Sequence, residues 1–408
     1  MVSVEHKPLG QLLLRPPRYG INAAAVPLAP GVATYIRITD IDDSGRFSPD
    51  PKVGVDHVSA ANYRLATGEL VFARTGASVG KSYLYDSRDG ELVYAGFLIN
   101  IAPDPKLLNP KYLSLFTQSK EYWDWVARTS VRSGQPGING REYAQLPVPL
   151  PDIATQNAIA AAMNDVDNLL STLERLIAKK QAIKQGAMQE LLTGRTRLQG
   201  YRGVWEYRRV TEMGDVLAGK ALNVSGAGAL RPYLRTKNVL DGRIDLGDVL
   251  WMPMTDAEFE RFGIERGDVL LNEGQSLELV GRCSMYNGEF GASCTMQNQL
   301  LRFRAHRGTS PEFAAHLFRH CQQTGVFAAI ATKTTSVAHL GSSRLSNLRL
   351  LWPTDRLEQA AIAEVLSDMD TEITAHEARL DKLRALKQGM LQQLLTGRTR
   401  LPVKESAA

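Results

Sequence analysis

Two long segments of the chain space their apolar residues in the same way. The gaps alternate between three and four residues, a period typical of the seam of a coiled coil. The seam positions are Ile159, Met163, Val166, Leu170, Leu173 and Ile177 in the first segment, and Ile362, Leu366, Met369, Ile373, Leu380 and Leu383 in the second, with His376 filling one slot. A long helix with such a stripe cannot bury it alone. The pattern therefore predicts two long helices that each need a helical partner.

The two helices are copies of one sequence. The string LLTGRTRL occurs at 191–198 and again at 394–401, an offset of 203 residues. The match extends back without a gap to Asp152 and Asp355, with close to half of the positions identical. Because a large segment separates the copies, we expect them to pair antiparallel within one chain about a pseudo-two-fold axis. The alternatives are a coiled coil between two chains and a duplication without functional meaning.

The ends of both helices carry matching signals. Proline and aspartate mark each start, and Asp355 with Glu358 resembles a capping box. Gly194 and Gly397 suit left-handed C-terminal caps. Matched internal glycines, which mark either a helix break or a close backbone contact, stand at Gly186 and Gly389.

The large segments between the helices also correspond. Short β-branched and aromatic runs between glycine and aspartate turns predict strands, and helical stretches follow at 110–128 and 311–330. Matched strings occur at Tyr35–Ile41 and Tyr233–Val239, and at Gly68–Phe72 and Gly267–Leu271. Polar loop residues differ between the copies, as in a duplicated binding module that reads two different things. We therefore expect an α+β protein with two duplicated domains.

The predicted order is domain, helix, domain, helix. The boundaries are 1–150 for the first domain, 151–200 for the central helical region, 201–352 for the second domain, 353–402 for the C-terminal helical region and 403–408 for a tail. The net charge of +5 is mild evidence for a polyanionic partner. The absence of a secretory core and of an 18-residue apolar run favours a cytoplasmic protein without a membrane span.

Candidate catalytic motifs are incomplete. Gly76–Ser82 nearly matches a phosphate-binding P-loop, but three residues instead of four separate its first two glycines. His316, His320 and Cys321 lack further metal ligands at ordinary spacing. We expect neither metal nor cofactor. The repeated acidic residues, expected to face solvent or a partner subunit, are Asp165, Asp167, Asp368 and Asp370.

The chain resembles the specificity subunit of type I restriction–modification systems. The motifs that carry the resemblance are Leu146–Pro151, the Gln-x-x-Ile-Ala helix starts at Gln156 and Gln359, the two Leu-Leu-Thr-Gly-Arg strings, and the glycine-containing stretches Gly68–Lys81 and Gly267–Arg282. The resemblance implies that each domain is a target recognition domain for one half of a split double-stranded DNA sequence. It also implies that the helices set the spacer and dock methyltransferase subunits, normally two, which restriction subunits then join. On this reading the chain is not itself an enzyme.

Phosphate contacts should come from Lys and Arg, and base contacts from Arg, Asn and Gln in the divergent loops. The candidates are Arg37, Arg74, Lys81, Arg132 and Gln135 in the first domain, and Arg235, Lys237, Asn238, Gln275, Arg282 and Lys333 in the second. For each of them the alternative is a solvated surface residue. For the whole chain the alternatives are a stand-alone nuclease or NTPase that uses the 76–82 glycine loop, and a coiled-coil scaffold that binds DNA without sequence preference.

Overall fold

The computed structural model describes residues 5–132, 134–223, 225–334 and 337–402. The chain divides into two compact units, Met1–Glu174 with Ala378–Ala408, and Arg175–Glu377. Each unit combines one large segment with part of each long helix. The predicted tail at 403–408 lies outside the described residues, and the predicted domain boundaries remain a proposal. Within the described ranges no helix has both the length and the apolar character that crossing a bilayer requires.

The first unit consists of short strands followed by helices. Its strands are β1 (His6–Pro8), β2 (Arg18–Tyr19), β3 (Val26–Pro27), β4 (Ala33–Ile36), β5 (Val53–Val55), β6 (Leu70–Ala73), β7 (Ser82–Leu84), β8 (Leu92–Tyr94), β9 (Leu98–Ile101) and β10 (Pro147–Pro149). Its helices are α1 (Pro110–Phe116), α2 (Lys120–Thr129) and α3 (Gly140–Ala144), and the long helix α4 (Ile153–Leu191) follows. One sheet has the order β2-β9-β6-β7, and a second has the order β3-β5-β4-β8.

The central strand β6 has both of its faces buried. Leu70 and Phe72 pack against helices α1 to α3, whereas Val71 and Ala73 pack into the core between the sheets. Successive side chains of a strand point to opposite faces, so a strand covered on both sides must be apolar throughout. This explains why β6 is a continuous apolar run in the sequence.

The second unit repeats this arrangement. Its strands are β11 (Trp205–Arg209), β12 (Gly214–Ala218), β13 (Ala229–Leu234), β14 (Val239–Leu240), β15 (Arg243–Ile244), β16 (Leu250–Met254), β17 (Gly263–Ile264), β18 (Val269–Asn272), β19 (Gly274–Gln275), β20 (Cys283–Met285), β21 (Cys294–Met296), β22 (Leu300–Ala305), β23 (Thr332–Lys333), β24 (Ala338–His339) and β25 (Arg349–Pro353). Its helices are α5 (Val210–Met213), α6 (Asp256–Phe262), α7 (Pro311–Gln323), α8 (Val326–Ile330) and α9 (Ser342–Asn347), and the second long helix is α10 (Arg356–Leu395).

The sheets of the two units correspond strand by strand at their centres. The order β12-β22-β18-β20 matches β2-β9-β6-β7, and the parallel pair β13·β21 matches β4·β8. In each unit an antiparallel pair, β1·β10 or β11·β25, joins the start of the domain to its end. The α+β class and the duplication predicted from the sequence are confirmed.

The two long helices pair antiparallel within the chain. The predicted seam residues are buried or half-buried in both helices. In each unit, partners of rising number on α4 have falling number on α10. The pairs are Asp167–Lys387 at 2.7 Å and Glu174–Arg384 at 2.8 Å in the first unit, and Lys180–Glu372 at 2.7 Å and Lys184–Asp370 in the second.

Asp167 and Asp370 occupy equivalent positions of the repeat. Each of them binds a lysine of the other long helix and a cation of a domain helix. Asp167 accepts a second bond from Lys111 of α1 at 2.9 Å, and Asp370 accepts one from Arg319 of α7 at 2.9 Å. The prediction that these two carboxylates face solvent or a partner subunit was therefore wrong, because the domain helices supply cations that the linear sequence does not place beside them. The exposed pair of the repeat is Asp165 and Asp368.

The helix ends agree with the sequence signals except at Glu358. Asp355 caps α10 by accepting a bond from the Leu357 N–H at 2.8 Å. Glu358 is fully buried and binds the Arg197 guanidinium at 2.8 Å instead of closing a capping box. A paired guanidinium is a stronger partner for a buried carboxylate than one amide is. The expected left-handed caps are confirmed at Gly194 (φ +69°) and Gly397 (φ +66°).

Gly186 and Gly389 fulfil neither of their expected roles. Both helices continue through them, so neither marks a break. A Cβ atom at either glycine would meet no neighbouring atom within 4 Å, so neither glycine serves a close backbone contact in the chain.

A buried glutamine near the start of each long helix anchors the domain beside it. The Gln156 side-chain oxygen accepts the Asn109 N–H at 2.9 Å, and the Gln359 oxygen accepts the Ser310 N–H at 2.8 Å. Asn109 and Ser310 are the N-cap residues of α1 and α7. Both glutamine amides are fully buried. The Gln-x-x-Ile-Ala motif thus joins the helix to the domain by a buried hydrogen bond.

Replacing the anchoring amide should destabilise the second domain. We expect Gln359→Ala to lower its free energy of unfolding in urea by about 1–3 kcal/mol, because the Ser310 N–H stays buried without a partner. Gln189→Ala, which changes an exposed glutamine of α4, is the control. Equal effects of the two substitutions would contradict the anchoring role.

Candidate nucleic-acid interface

Three chain segments meet where the central strand of the first domain ends. The Arg74 N–H donates to the Phe97 carbonyl at 3.0 Å, and the Arg74 carbonyl accepts the Ile138 N–H at 2.8 Å. Nearby, the Gly20 N–H donates to the Leu98 carbonyl at 3.1 Å. These bonds hold residues that are distant in sequence on one edge of the domain.

The second domain has the same bonds between equivalent residues. The Glu273 N–H donates to the Gln299 carbonyl at 2.8 Å, and the Glu273 carbonyl accepts the Leu340 N–H at 2.8 Å. The Gly219 N–H donates to the Leu300 carbonyl at 3.0 Å. Position 74 therefore corresponds to 273, and position 97 to 299. We name the polar and aromatic residues at these edges the first junction (Tyr19, Arg74, Phe97, Gln135) and the second junction (Glu273, Gln275, Gln299, Lys333, His339).

The first junction presents a cation and an exposed aromatic ring. The Arg74 guanidinium lies 4.9 Å from the centre of the Tyr19 ring, a cation–π contact that orients it. The Tyr19 hydroxyl accepts the Gly140 N–H at 3.1 Å, so the ring beneath the guanidinium is itself fixed. The Phe97 ring is 57% exposed.

Gln135 reaches the same edge from a later loop. A Cβ atom added to Gly76 would lie 3.0 Å from the Gln135 side-chain nitrogen, and Gly76 has φ +74°. Both the conformation and the close approach favour glycine at this turn. Two of the five residues predicted for the first domain, Arg74 and Gln135, are thus brought together.

The second junction lies on the small sheet β19-β24-β23. Gln275 and Lys333 both pair with Ala338, so they lie two strands apart, roughly 10 Å. One oxygen of Glu273 bonds the His339 ring at 3.1 Å. Gln299 and Lys333 are exposed.

Asn238 forms part of a structural turn. Its side-chain oxygen accepts the Arg235 N–H at 3.0 Å, and its nitrogen donates to the carbonyls of Asp245 at 2.8 Å and Asp248 at 3.1 Å. Asp40 holds the equivalent turn in the first domain by accepting the Arg37 N–H at 2.8 Å. Since the Asn238 amide is buried, it stabilises the turn and presents no free group at the surface.

The predicted arginines and lysine beside these turns have acidic partners. The Asp40 carboxylate binds the Arg37 guanidinium at 2.7 Å and raises the pKa of Arg37. Asp248 binds Arg235 at 2.5 Å and Lys237 at 2.8 Å, and the hydrogen bond from Lys237 is the main reason that the pKa of Asp248 is lowered.

Lys81 and Arg282 occupy equivalent positions, and each donates a hydrogen bond to a backbone carbonyl beside the turn of its own domain. Lys81 donates to the Ile41 carbonyl at 3.4 Å, and Arg282 donates to the Val239 carbonyl at 3.1 Å. Lys81 also binds Asp43 at 2.7 Å and lowers the pKa of that carboxyl.

Arg132, which is three residues before Gln135 in the chain, already has hydrogen-bonding partners. It is paired with Glu142 at 2.5 Å and donates to the Thr129 and Val131 carbonyls. Its guanidinium is thus already engaged in the free protein.

Five junction residues were not among the candidates predicted from the sequence: Tyr19, Phe97, Glu273, Gln299 and His339. Phe97 directly precedes the buried strand β9, and Gln299 directly precedes the equivalent strand β22. When the two domains are aligned, an aromatic residue in one copy corresponds to an amide residue in the other, and this difference was a detectable signal. To detect it, the alignment of the two domains had to be extended through the turns that precede β9 and β22.

The glycine loop at 76–82 connects two antiparallel strands. β6 pairs directly with β7, and Leu70 faces Leu84. A P-loop requires a helix after the glycines, so nucleotide hydrolysis loses its structural basis at this loop. His316 bonds the Ser367 hydroxyl at 3.0 Å, Cys321 is buried, and no group of three or more potential metal ligands occurs among the described residues.

Comparison with known proteins finds similarity to specificity subunits of type I restriction enzymes. Residues 29–185 match the model of the type I restriction modification DNA specificity domain. The EcoKI specificity subunit of Escherichia coli K12 is 23% identical over 378 residues, covering 88% of this chain and 80% of the relative. The putative MjaX specificity subunit of Methanocaldococcus jannaschii is 27% identical over 163 residues, which is 38% of this chain and 36% of that protein.

Solved structures show the same fold over nearly the full length. A chain from the structure described as "Structural basis underlying complex assembly and conformational transition of the type I R-M system" superposes with a TM-score of 0.60 at 17% identity, covering 98% of this chain and 99% of the other. The type I S subunit from M. genitalium gives a TM-score of 0.58 at 11% identity over 95% of both chains. Residues 29–185 are therefore similar to the type I restriction modification DNA specificity domain, and the chain has the fold of the solved specificity subunits. The resemblance inferred from the sequence is confirmed.

The placement of Asn238 predicts an effect on stability. We expect Asn238→Ala to lower the free energy of unfolding of the second domain by about 1–3 kcal/mol, because the Arg235 N–H and the Asp245 and Asp248 carbonyls lose the buried amide that bonds them. Its neighbour Lys237 is 67% exposed in its side chain, so Lys237→Ala should cost less than about 1 kcal/mol. Urea titration of both variants checks this, and a larger loss in Lys237→Ala would refute the structural assignment.

Proposed function

We propose that the chain selects the DNA target of a type I restriction–modification enzyme and carries no catalytic chemistry itself. Each domain reads one half of a bipartite double-stranded sequence. The observation that carries the proposal is the shared backbone frame of the two junctions, which presents different side chains in the two domains. Two readers built on one scaffold fit a target whose two halves differ.

The long helices set the spacing between the halves of the target. Each helix is continuous, over Ile153–Leu191 and Arg356–Leu395, and in each unit the pair is joined by a buried seam and by ion pairs at equivalent positions. A paired helix keeps its length, whereas a flexible linker does not. Half-sites one turn of DNA apart lie about 34 Å from each other, within the reach of helices of this size.

The helices also dock two methyltransferase subunits, which restriction subunits then join. Ile183 and Leu386 occupy equivalent positions of the repeat and are 48% and 53% exposed. Leu386 lines an apolar cavity of about 450 Å³ with Gly389 and Met390. A repeated apolar position beside a repeated glycine offers the same contact twice, as two copies of one partner require. This gives Gly186 and Gly389 a role that the free chain does not explain.

Exchanging one domain should change one half of the target. With residues 1–150 replaced by those of another specificity subunit, the chain combined with its methyltransferase subunits should methylate a sequence in which only one half is new. Mapping methylated bases in DNA exposed to the complex checks this. The reciprocal exchange of 201–352 is the control and should change the other half. A change in both halves, or in neither, would refute the two-reader model.

Lengthening both helices should lengthen the spacer. Seven residues inserted after Glu174 and after Glu377, which are equivalent positions, extend each helix by about 10 Å, the length of about three base pairs. Both half-sites should stay the same while the preferred spacer grows by up to that amount. The insertion in one helix alone is the control, and it should weaken binding because the seam loses its match. An unchanged spacer in the double insertion would show that the helices do not set it.

A further inference from the structure

The two junctions place different chemistry at equivalent positions. Arg74 corresponds to Glu273, and Phe97 corresponds to Gln299, because the same backbone hydrogen bonds define both pairs. One position thus changes from a cation to a carboxylate, and the other from an aromatic ring to an amide. Their backbones are tied to the central sheet, so each side chain projects from a fixed point.

We propose that these two positions are the base-reading pair of each domain. The first junction selects a guanine through Arg74 and a neighbouring thymine through Phe97. The second selects a cytosine through Glu273 and a neighbouring adenine through Gln299. The inference rests on the proposed function, because it requires that the domains bind DNA. Arginine pairs with the guanine acceptors, glutamate accepts from the cytosine amine, glutamine binds adenine with two hydrogen bonds, and an apolar group contacts the thymine methyl.

Among the cations predicted for the first domain, Arg74 is the best prepared to read a base. The other predicted cations of that domain are held by Asp or Glu side chains: Arg37, Lys81 and Arg132. No carboxylate in the described part of the chain lies within ion-pair distance of Arg74. Its guanidinium rests on the Tyr19 ring, so its planar fork is oriented before DNA arrives and little side-chain entropy is lost on binding.

Phe97 is placed to read the adjoining step. The Arg74 and Phe97 segments are joined by a backbone hydrogen bond, which sets neighbouring chains about 4.8 Å apart. Successive bases are spaced 3.4 Å apart along one strand, so two such side chains match neighbouring base pairs. Because Phe97 is 57% exposed, much of its side chain is available to a thymine methyl.

The second junction has a carboxylate and an amide at the positions of Arg74 and Phe97. Gln299 is exposed, and one Glu273 oxygen bonds His339 while the other bonds no side chain in the described ranges. The His339 hydrogen bond holds one oxygen of the carboxylate, whose side chain is 17% exposed, and the second oxygen is the acceptor for the base. The two halves of the target should consequently differ in base type at corresponding places.

The test uses the chain assembled with its methyltransferase subunits on a library of random duplexes, with methylated bases mapped by sequencing. Arg74→Ala should lower the preference for guanine at one position of one half-site by about 5- to 150-fold and leave the other half-site unchanged. Arg74→Lys should lose part of that preference, because lysine keeps the charge but not the fork. Gln299→Ala should relax an adenine in the other half-site only.

The most specific test places the residue types of the second junction at the equivalent positions of the first junction. Arg74→Glu with Phe97→Gln should change the preferred bases of the first half-site at these two positions to cytosine and adenine. Arg88→Glu is the charge control, since Arg88 is exposed at a distant turn. Thermal unfolding of each variant shows that the fold is kept, and Arg74→Lys serves where the alanine variant unfolds.

Two outcomes would overturn the proposal. Unchanged base preference in Arg74→Ala would exclude a reading role, and equal weakening on all sequences would make Arg74 a phosphate contact. Both leave the proposed function intact, because the wild-type complex would still methylate a split sequence. Failure of the wild-type complex to select any split sequence would instead refute the proposed function itself.

Discussion

A long helix with one apolar stripe must bury that stripe, and this requirement shapes the protein. The second copy of the helix meets it within the same chain, and antiparallel pairing puts each half of one helix beside the opposite half of the other. In each unit a lysine of one helix then meets an aspartate of the other, since Lys184 binds Asp370 and Lys387 binds Asp167. Within each unit a buried glutamine amide attaches the domain to the long helix that follows it.

Buried polar groups in this chain serve attachment, and exposed ones are left for partners. Gln156, Gln359 and Glu358 are fully buried, and each has a hydrogen-bonding partner that its burial demands. The turns at Asp40 and Asn238 follow the same rule. The junction residues differ because Phe97, Gln299 and Lys333 are exposed on a fixed backbone without such duties. This contrast separates scaffold from reading surface more clearly than charge does, since most predicted cations already pair with acidic groups.

The fold was largely predictable because its signals are repetitive. The helix sequence occurs twice at an offset of 203 residues, and each copy has an apolar seam of period 3.5. Each copy therefore supports the helix prediction made for the other. The site was less predictable. Arg74 and Gln135 were predicted because they are polar residues in loops that differ between the copies, whereas Tyr19 and Phe97 join this candidate site only through contacts and backbone bonds across the sheet. Asn238 was misleading, since a loop asparagine is exposed or buried according to the turn that it closes.

The sequence by itself determined the class of the protein: two duplicated α+β domains, two copied helices that pair, and a polar surface that differs between the copies. Periodicity and repetition are properties of the linear chain, so they can be read without coordinates. Only the tertiary structure decided which polar residues remain available. Whether Asp167 is bound by Lys387, or Asp370 by Arg319, depends on distances between elements far apart in sequence. Hydrogen bonds and ion pairs act over a few ångströms, and no pattern along the chain encodes that proximity.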